Sequence, residues 1–200
     1  MLLKALEFAL WTIGSILLIA WAAVSAWGES ERRHHLAAFE LALASPEANP
    51  DQTLWSDARK DHYAQAIEID AGAPLGILRI AKIALEVPVF DGASEINMNR
   101  GAARIEGTAQ LNEQGNVGIA GHRDGFFRRL KDLEVGDVIQ VETLTGARQY
   151  RIESLTIVDP HQVDVLDPTE TNAITLVTCY PFYFIGHAPQ RYIVRAVIDV

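Results

Sequence analysis

The chain has 200 residues, 49% apolar and 22% charged, with 14 glycines, 8 prolines, one cysteine and a formal net charge of −9. This composition excludes a disordered, collagenous or disulfide-stapled chain, and the lone Cys179 excludes an intramolecular disulfide. The arginine doublets, Arg32-Arg33 and Arg128-Arg129, are isolated in an acidic chain, so nucleic acid is not an expected partner.

Residues 8–27, FALWTIGSILLIAWAAVSAW, carry no charge. A helix rising ~1.5 Å per residue covers the ~30 Å hydrocarbon core with about 20 residues, so one membrane span is expected here. Trp11 and Trp27 suit the two interfaces. A cleaved signal peptide is the competing expectation, with Val24-Ser25-Ala26 as its cleavage site. The apolar run exceeds the ~7 to 15 residues of a signal core, which favours a retained anchor over residues 1–28. Lys4 before the span nearly balances Arg32 and Arg33 after it, so charge does not set the orientation.

Residues 29–73 read as a juxtamembrane helical and linker region. Leu36, Phe39 and Leu43 recur at helical spacing up to Ser45-Pro46. A turn-rich stretch follows, and then a short helix over 53–66 that carries Trp55. Neither helix shows a chemical constellation.

From residue 74 to 200 the pattern changes to short β-prone runs at 76–83, 85–90, 116–121, 137–143, 147–158, 173–178 and 191–200. Seven candidate strands make the region mainly β, a barrel or a sandwich. Pro88 demotes the second run to an edge or bulged strand. The alternation of Tyr150 and Ile152 against Arg151 and Glu153 slips near Ser154 and Leu155, which predicts a bulge. Only 126–133 and 93–97 look helical within this region.

Cys179 follows the apolar run ITLVT and precedes Tyr180-Pro181, so it stands at a strand exit. A thiol held there suits a nucleophile, provided that a base or cation lies close; otherwise it is a small buried hydrophobe. His122, in IAGHRDGF, is the best available partner because it follows a short strand and a glycine. Asp124 either orients His122 or pairs with Arg123 or Arg128. Arg191 opens the last strand, and pairing with the strand of Cys179 would set its guanidinium beside the thiol, with Arg195 as the competitor. The remaining histidines form no H-E-x-x-H motif or Cys/His cluster, so no metal is expected. The C-G-x-C-W and Q-A-C-x-G motifs of papain-like and caspase-like proteases are absent.

TLVTCYPF at 175–182, GNVGIAGHRDGFF at 115–127 and RYIVRA at 191–196 together resemble the sortases, in the order of that family's nucleophile, histidine and arginine motifs. The resemblance covers roughly residues 74–200. It implies a closed eight-stranded β-barrel with short helices, preceded by a membrane helix, on the extracytoplasmic face of a membrane. It further implies a cysteine transpeptidase with Cys179, His122 and Arg191 as triad and no cofactor. The substrate would be a protein with an LPxTG-like C-terminal sorting signal, passed through a thioacyl-enzyme to an amine acceptor, with hydrolysis as side reaction. Backbone N–H groups around Thr178 and Tyr180 would help Arg191 meet the oxyanion. The Cys-Tyr-Pro-Phe sequence is most like class D sortases and their Gram-negative relatives. The alternative is a membrane-tethered barrel that binds without catalysis, with Cys179 in its core.

Overall fold

Strands alternate inward and outward side chains, and the sequence obeys that period where one face meets water. In the computed structural model, β5 (Val138–Thr143) buries Ile139 and Val141, and β6 (Gly146–Val158) buries Tyr150 and Ile152. β4 (Asn116–Ala120) and β7 (Ala173–Tyr180) are instead buried along most of both faces, which explains their unbroken apolar runs. With β1 (Gly76–Ile80), β2 (Leu85–Asp91), β3 (Ala102–Arg104) and β8 (Gln190–Ile198), they close a barrel in the order β1-β2-β3-β4-β7-β8-β6-β5. β1 pairs with β5 to complete the circle; β2–β3 and β4–β7 are parallel, the remaining pairs antiparallel.

The structure describes residues 14, 18, 19, 50–69, 72–183 and 188–199. The expected membrane span over 8–27, apart from Gly14, Leu18 and Ile19, and the expected helix over 29–44 lie outside these. Among the described residues, no helix is long and apolar enough to cross a membrane. The chain divides into two units, Met1–Glu40 and Leu41–Val200, and the barrel belongs to the second.

Several expected elements shift. β3 has three residues, too few to show a period, so the sequence runs number seven where the barrel has eight. The run at 76–83 stops at Ile80 and turns through a 3-10 helix, Ala81–Ile83, into the left-handed Ala84 at φ 49. β2 is not an edge, because it pairs on both sides. Pro88 is nonetheless tolerated for the physical reason that makes prolines mark edges. The Val89 carbonyl accepts from Leu75 on the β1 side at 2.7 Å, so Pro88 faces the β3 side, where the ladder begins only at Val89. The bulge in β6 falls between Ile152 and Ser154, one residue ahead of its expected position.

The predicted helix over 53–66 begins later, as α1 (Asp57–Ile67), because Ser56 caps it by accepting the Arg59 backbone N–H at 3.2 Å. Trp55 therefore precedes the helix. It is buried edge-on against Tyr63 and Phe126, with ring centroids 5.5 and 4.9 Å away. α2 (Glu95–Arg100) is capped in the same way by Ser94, two residues past the expected start, and 126–133 folds as a 3-10 helix, Phe126–Asp132. Leu78, Val87, Val89, Val117, Ile119, Phe127, Leu130, Leu176 and Val194 fill the barrel and seal its α1 side.

Candidate active site

β7 lies between β8 and β4, and its C-terminal end carries Cys179 between the start of β8 and the loop that follows β4. On the β8 side the antiparallel register sets Cys179 directly opposite Arg191. Such pairs present both side chains on one face, about 4.5–5.5 Å apart at Cβ. On the β4 side the parallel ladder pairs Ala120 with Val177, and the Gly121 N–H extends it to the Val177 carbonyl at 3.2 Å. One residue further the chain turns out of β4, so His122 opens the loop on this flank of Cys179. Ile174 and Leu176 fill the core from the other face of β7, so half-buried Cys179 belongs to the outer face with Thr175 and Val177.

Arg191 donates to the carbonyls of Ala188 and Gln190 at 3.3 and 3.0 Å. Arg195 lies four residues further along, opposite Thr175, and its Nε donates to Glu153 Oε1 at 2.6 Å. The register thus separates the two arginines: Arg191 flanks the thiol, and Arg195 is engaged across β6.

The His122 side chain is 20% exposed, with Nε2 3.3 Å from Glu95 Oε1 in α2. That approach lacks hydrogen-bond alignment, and the buried Nε2 has no hydrogen-bond partner among the described residues. Burial lowers the imidazole pKa below its ordinary 6.5, and the Arg59 guanidinium acts in the same direction; Glu95 and Asp124 oppose them. Asp124 pairs with Arg59, a partner the sequence did not suggest. Its Oδ1 accepts from Arg59 Nε at 3.2 Å.

Thr178 is 2% exposed, and its hydroxyl donates to the Gly121 carbonyl at 2.8 Å. This bond ties the end of β7 to the residue before His122. Glycine is required at 121 because a Cβ there would lie 2.7 Å from the Phe127 ring. The N–H groups of Gly125 and Phe127 then close the turn on the His122 carbonyl at 3.1 and 3.2 Å. Tyr180 alternates to the inner face, stacked on Tyr192 and edge-on to Phe182. Arg123 and Arg128 donate to the carbonyls of Pro181 and Phe182, and Arg128 also covers the Tyr183 ring at 4.1 Å. The His122 loop is thereby fastened to the segment that leaves β7.

A buried polar latch covers the outer face of β4 and β7. Asn116 Nδ2 donates to the carbonyls of Val165 and Asp167 at 3.1 and 3.2 Å, and its Oδ1 accepts from Thr175 at 2.8 Å. Leu166 is thereby held over Gly118, where an added Cβ would lie 2.8 Å from Leu166 Cδ2. Among the described residues, no group of three His, Cys, Asp or Glu could hold a metal ion.

Sequence reasoning missed Arg59 and Glu95. A signal existed for Arg59: it stands four residues before Tyr63 on α1 and so shares the helix face that packs Tyr63 against Phe126. Glu95 carried none, because its position depends on where α2 packs.

Comparison with known proteins agrees with this architecture. A family model described as the sortase domain matches residues 78–199. Sortase D of Bacillus subtilis is 34% identical over 126 residues, 62% of this chain and 64% of that protein, so the alignment spans less than two thirds of that relative. Sortase A of Staphylococcus aureus is 31% identical over 140 residues, 64% of this chain and 68% of that protein. The solved structure of a Clostridium perfringens sortase D5 transpeptidase superimposes with a TM-score of 0.61 at 28% identity, covering 80% of this chain and 99% of that one.

Proposed function

Because the chain belongs to the sortase family, we propose that it is a cysteine transpeptidase of the class D type, acting on proteins with an LPxTG-like C-terminal sorting signal. Cys179 is the nucleophile. Its thiolate attacks the carbonyl carbon of the Thr-Gly bond, and the carbonyl electrons move onto oxygen. Arg191 and backbone N–H groups around Thr178 and Tyr180 stabilise that oxyanion. As the tetrahedral intermediate collapses, the C–N bond breaks and the His122 imidazolium protonates the departing amine. The acyl group remains on sulfur as a thioester. An incoming amine attacks it, His122 takes the proton, and a new amide leaves with the thiolate restored. Water in place of the amine gives hydrolysis.

The observation that carries this reading is the strand register, in which Cys179 has Arg191 on its β8 flank and the His122 loop on its β4 flank. A non-catalytic barrel would have no need of a half-exposed thiol between an imidazole and a guanidinium. In the proposed organisation residues 1–28 anchor the chain, 29–73 connect it, and 74–200 form the catalytic domain on the extracytoplasmic face.

The test is to incubate the full chain with LPxTG-type peptides and weigh the protein. An added mass equal to the acyl half of the peptide, absent from Cys179→Ala, is the expected result. Peptide cleavage by Cys179→Ala, or no adduct with any such peptide, would overturn the assignment. For the anchor, the expected outcome is a membrane-fraction protein whose mass still includes residues 1–27.

A further inference from the structure

One side chain from outside the family match reaches the His122 loop. Arg59 in α1 is 11% exposed, and its Nε pairs with Asp124 Oδ1 at 3.2 Å. A terminal nitrogen of the same guanidinium donates to Asn99 Oδ1 in α2. Its stem runs beside the loop, since a Cβ on Gly125 would meet Arg59 Cδ at 3.4 Å. A single guanidinium therefore bridges α1, α2 and the turn that follows His122. The bridge is held from behind by Trp55 and Tyr63, packed edge-on against Phe126.

We infer that Arg59 is a positioning residue of the active site, fixing the loop that carries His122 and setting the charge that this imidazole meets. The inference rests on the reading of His122 as the acid–base group. The charged groups facing His122 are Arg59 from α1, Glu95 from α2 and Asp124 from its own loop, with Arg191 beyond Cys179. Arg59 opposes protonation of the imidazole, while the two carboxylates favour it. Asp124, though close, is turned to Arg59, so its pull on His122 is partly neutralised. The family-matched residues thus supply the reacting groups, and the segment ahead of them supplies a fixed cation and a mechanical stay.

The experiment follows the His122 ring C–H resonance against pH in the full chain in detergent micelles, assigned by its loss in His122→Gln, alongside steady-state cleavage of an LPxTG-type peptide. In Arg59→Gln the His122 midpoint moves to higher pH, and kcat falls about ten-fold with KM within about two-fold, because the loop and not the peptide contact is loosened. Arg59→Lys, which restores charge without the fork, returns the midpoint toward that of the wild type. Asp124→Asn serves if Arg59→Gln does not fold: removing the carboxylate leaves Arg59 unneutralised, and the midpoint moves to lower pH. An unchanged midpoint in Arg59→Gln, or in Asp124→Asn where that variant is needed, overturns the inference. Equal losses of kcat in the Gln and Lys variants with both midpoints at the wild-type value overturn it too, since they indicate only a structural role. If the wild type cleaves no such peptide, the proposed function fails while the titration still decides the role of Arg59.

Discussion

Arg191 and Arg195 stand on the same face of β8, yet their surroundings separate them. Arg195 is engaged by Glu153 at 2.6 Å, the arginine half-buried and the glutamate exposed, a pair worth roughly 0.2–1 kcal/mol. Arg191 bonds only backbone carbonyls beside Cys179 among the described contacts. Arg191→Ala is therefore expected to lower kcat/KM for peptide cleavage by about 10²- to 10³-fold, the scale on which a lost oxyanion donor registers, while Arg195→Ala changes it less than about three-fold. The burial of His122 makes a separate prediction about stability. Its folded pKa is below 6.5, so between those two values the unfolded chain binds a proton that the folded chain refuses. Stability tied to His122 is thus complete above the unfolded value and is lost as pH falls toward the folded one. Thermal unfolding of the wild type, compared with His122→Gln, should show an extra fall in Tm as pH drops below about 6.5 that the variant lacks.

At the level of elements, the site depends on how β4 and β7 are fastened together and covered. Gly121→Ala would press a methyl group into the Phe127 ring. Overpacking of this kind costs about 1–3 kcal/mol. Because Gly121 also accepts from Thr178 and precedes His122, kcat should fall along with Tm, and the two are read by calorimetry and peptide kinetics. Asn116→Ala removes a buried amide that bonds three partners. It leaves the Asp167 carbonyl without its donor and the Thr175 hydroxyl with only its 3.5 Å bond to the Val165 carbonyl, at a cost of about 1–3 kcal/mol by chemical denaturation. The loop over 159–172 loses its latch while Cys179, His122 and Arg191 keep their strands. The expected kinetic signature is a KM that rises more than kcat falls. Where His122 turns out of β4, the chain needs a residue with no side chain, and the sequence shows this as the glycine in IAGHRDGF.

At the scale of the whole molecule, the segment over 50–69 packs against the core through Trp55 and Tyr63. Trp55 is 7% exposed against Tyr63 and Phe126, and Arg129 pairs with Asp51 at 2.5 Å. Trp55→Ala should cost about 3–5 kcal/mol in denaturant unfolding of the full chain. Because α1 also carries Arg59, part of that loss should appear as reduced activity well below the unfolding midpoint. The amino-acid order by itself settled what is local. Short β-prone runs located seven strands, and three short motifs in the right order disclosed the family, because each is a property of neighbours along the chain; the expected helix starts fall two to four residues early, since the capping by Ser56 and Ser94 is not read from the sequence. It did not disclose the three-residue β3, whose length is below any period, or the tolerance of a central strand for Pro88, which depends on where another ladder begins. Nor did it disclose the partners of Asp124 and His122. Arg59 is 65 residues from Asp124, and only closure of the barrel with α1 packed on its flank makes them neighbours. Electrostatic energy follows distance in space, and that distance is set by the fold.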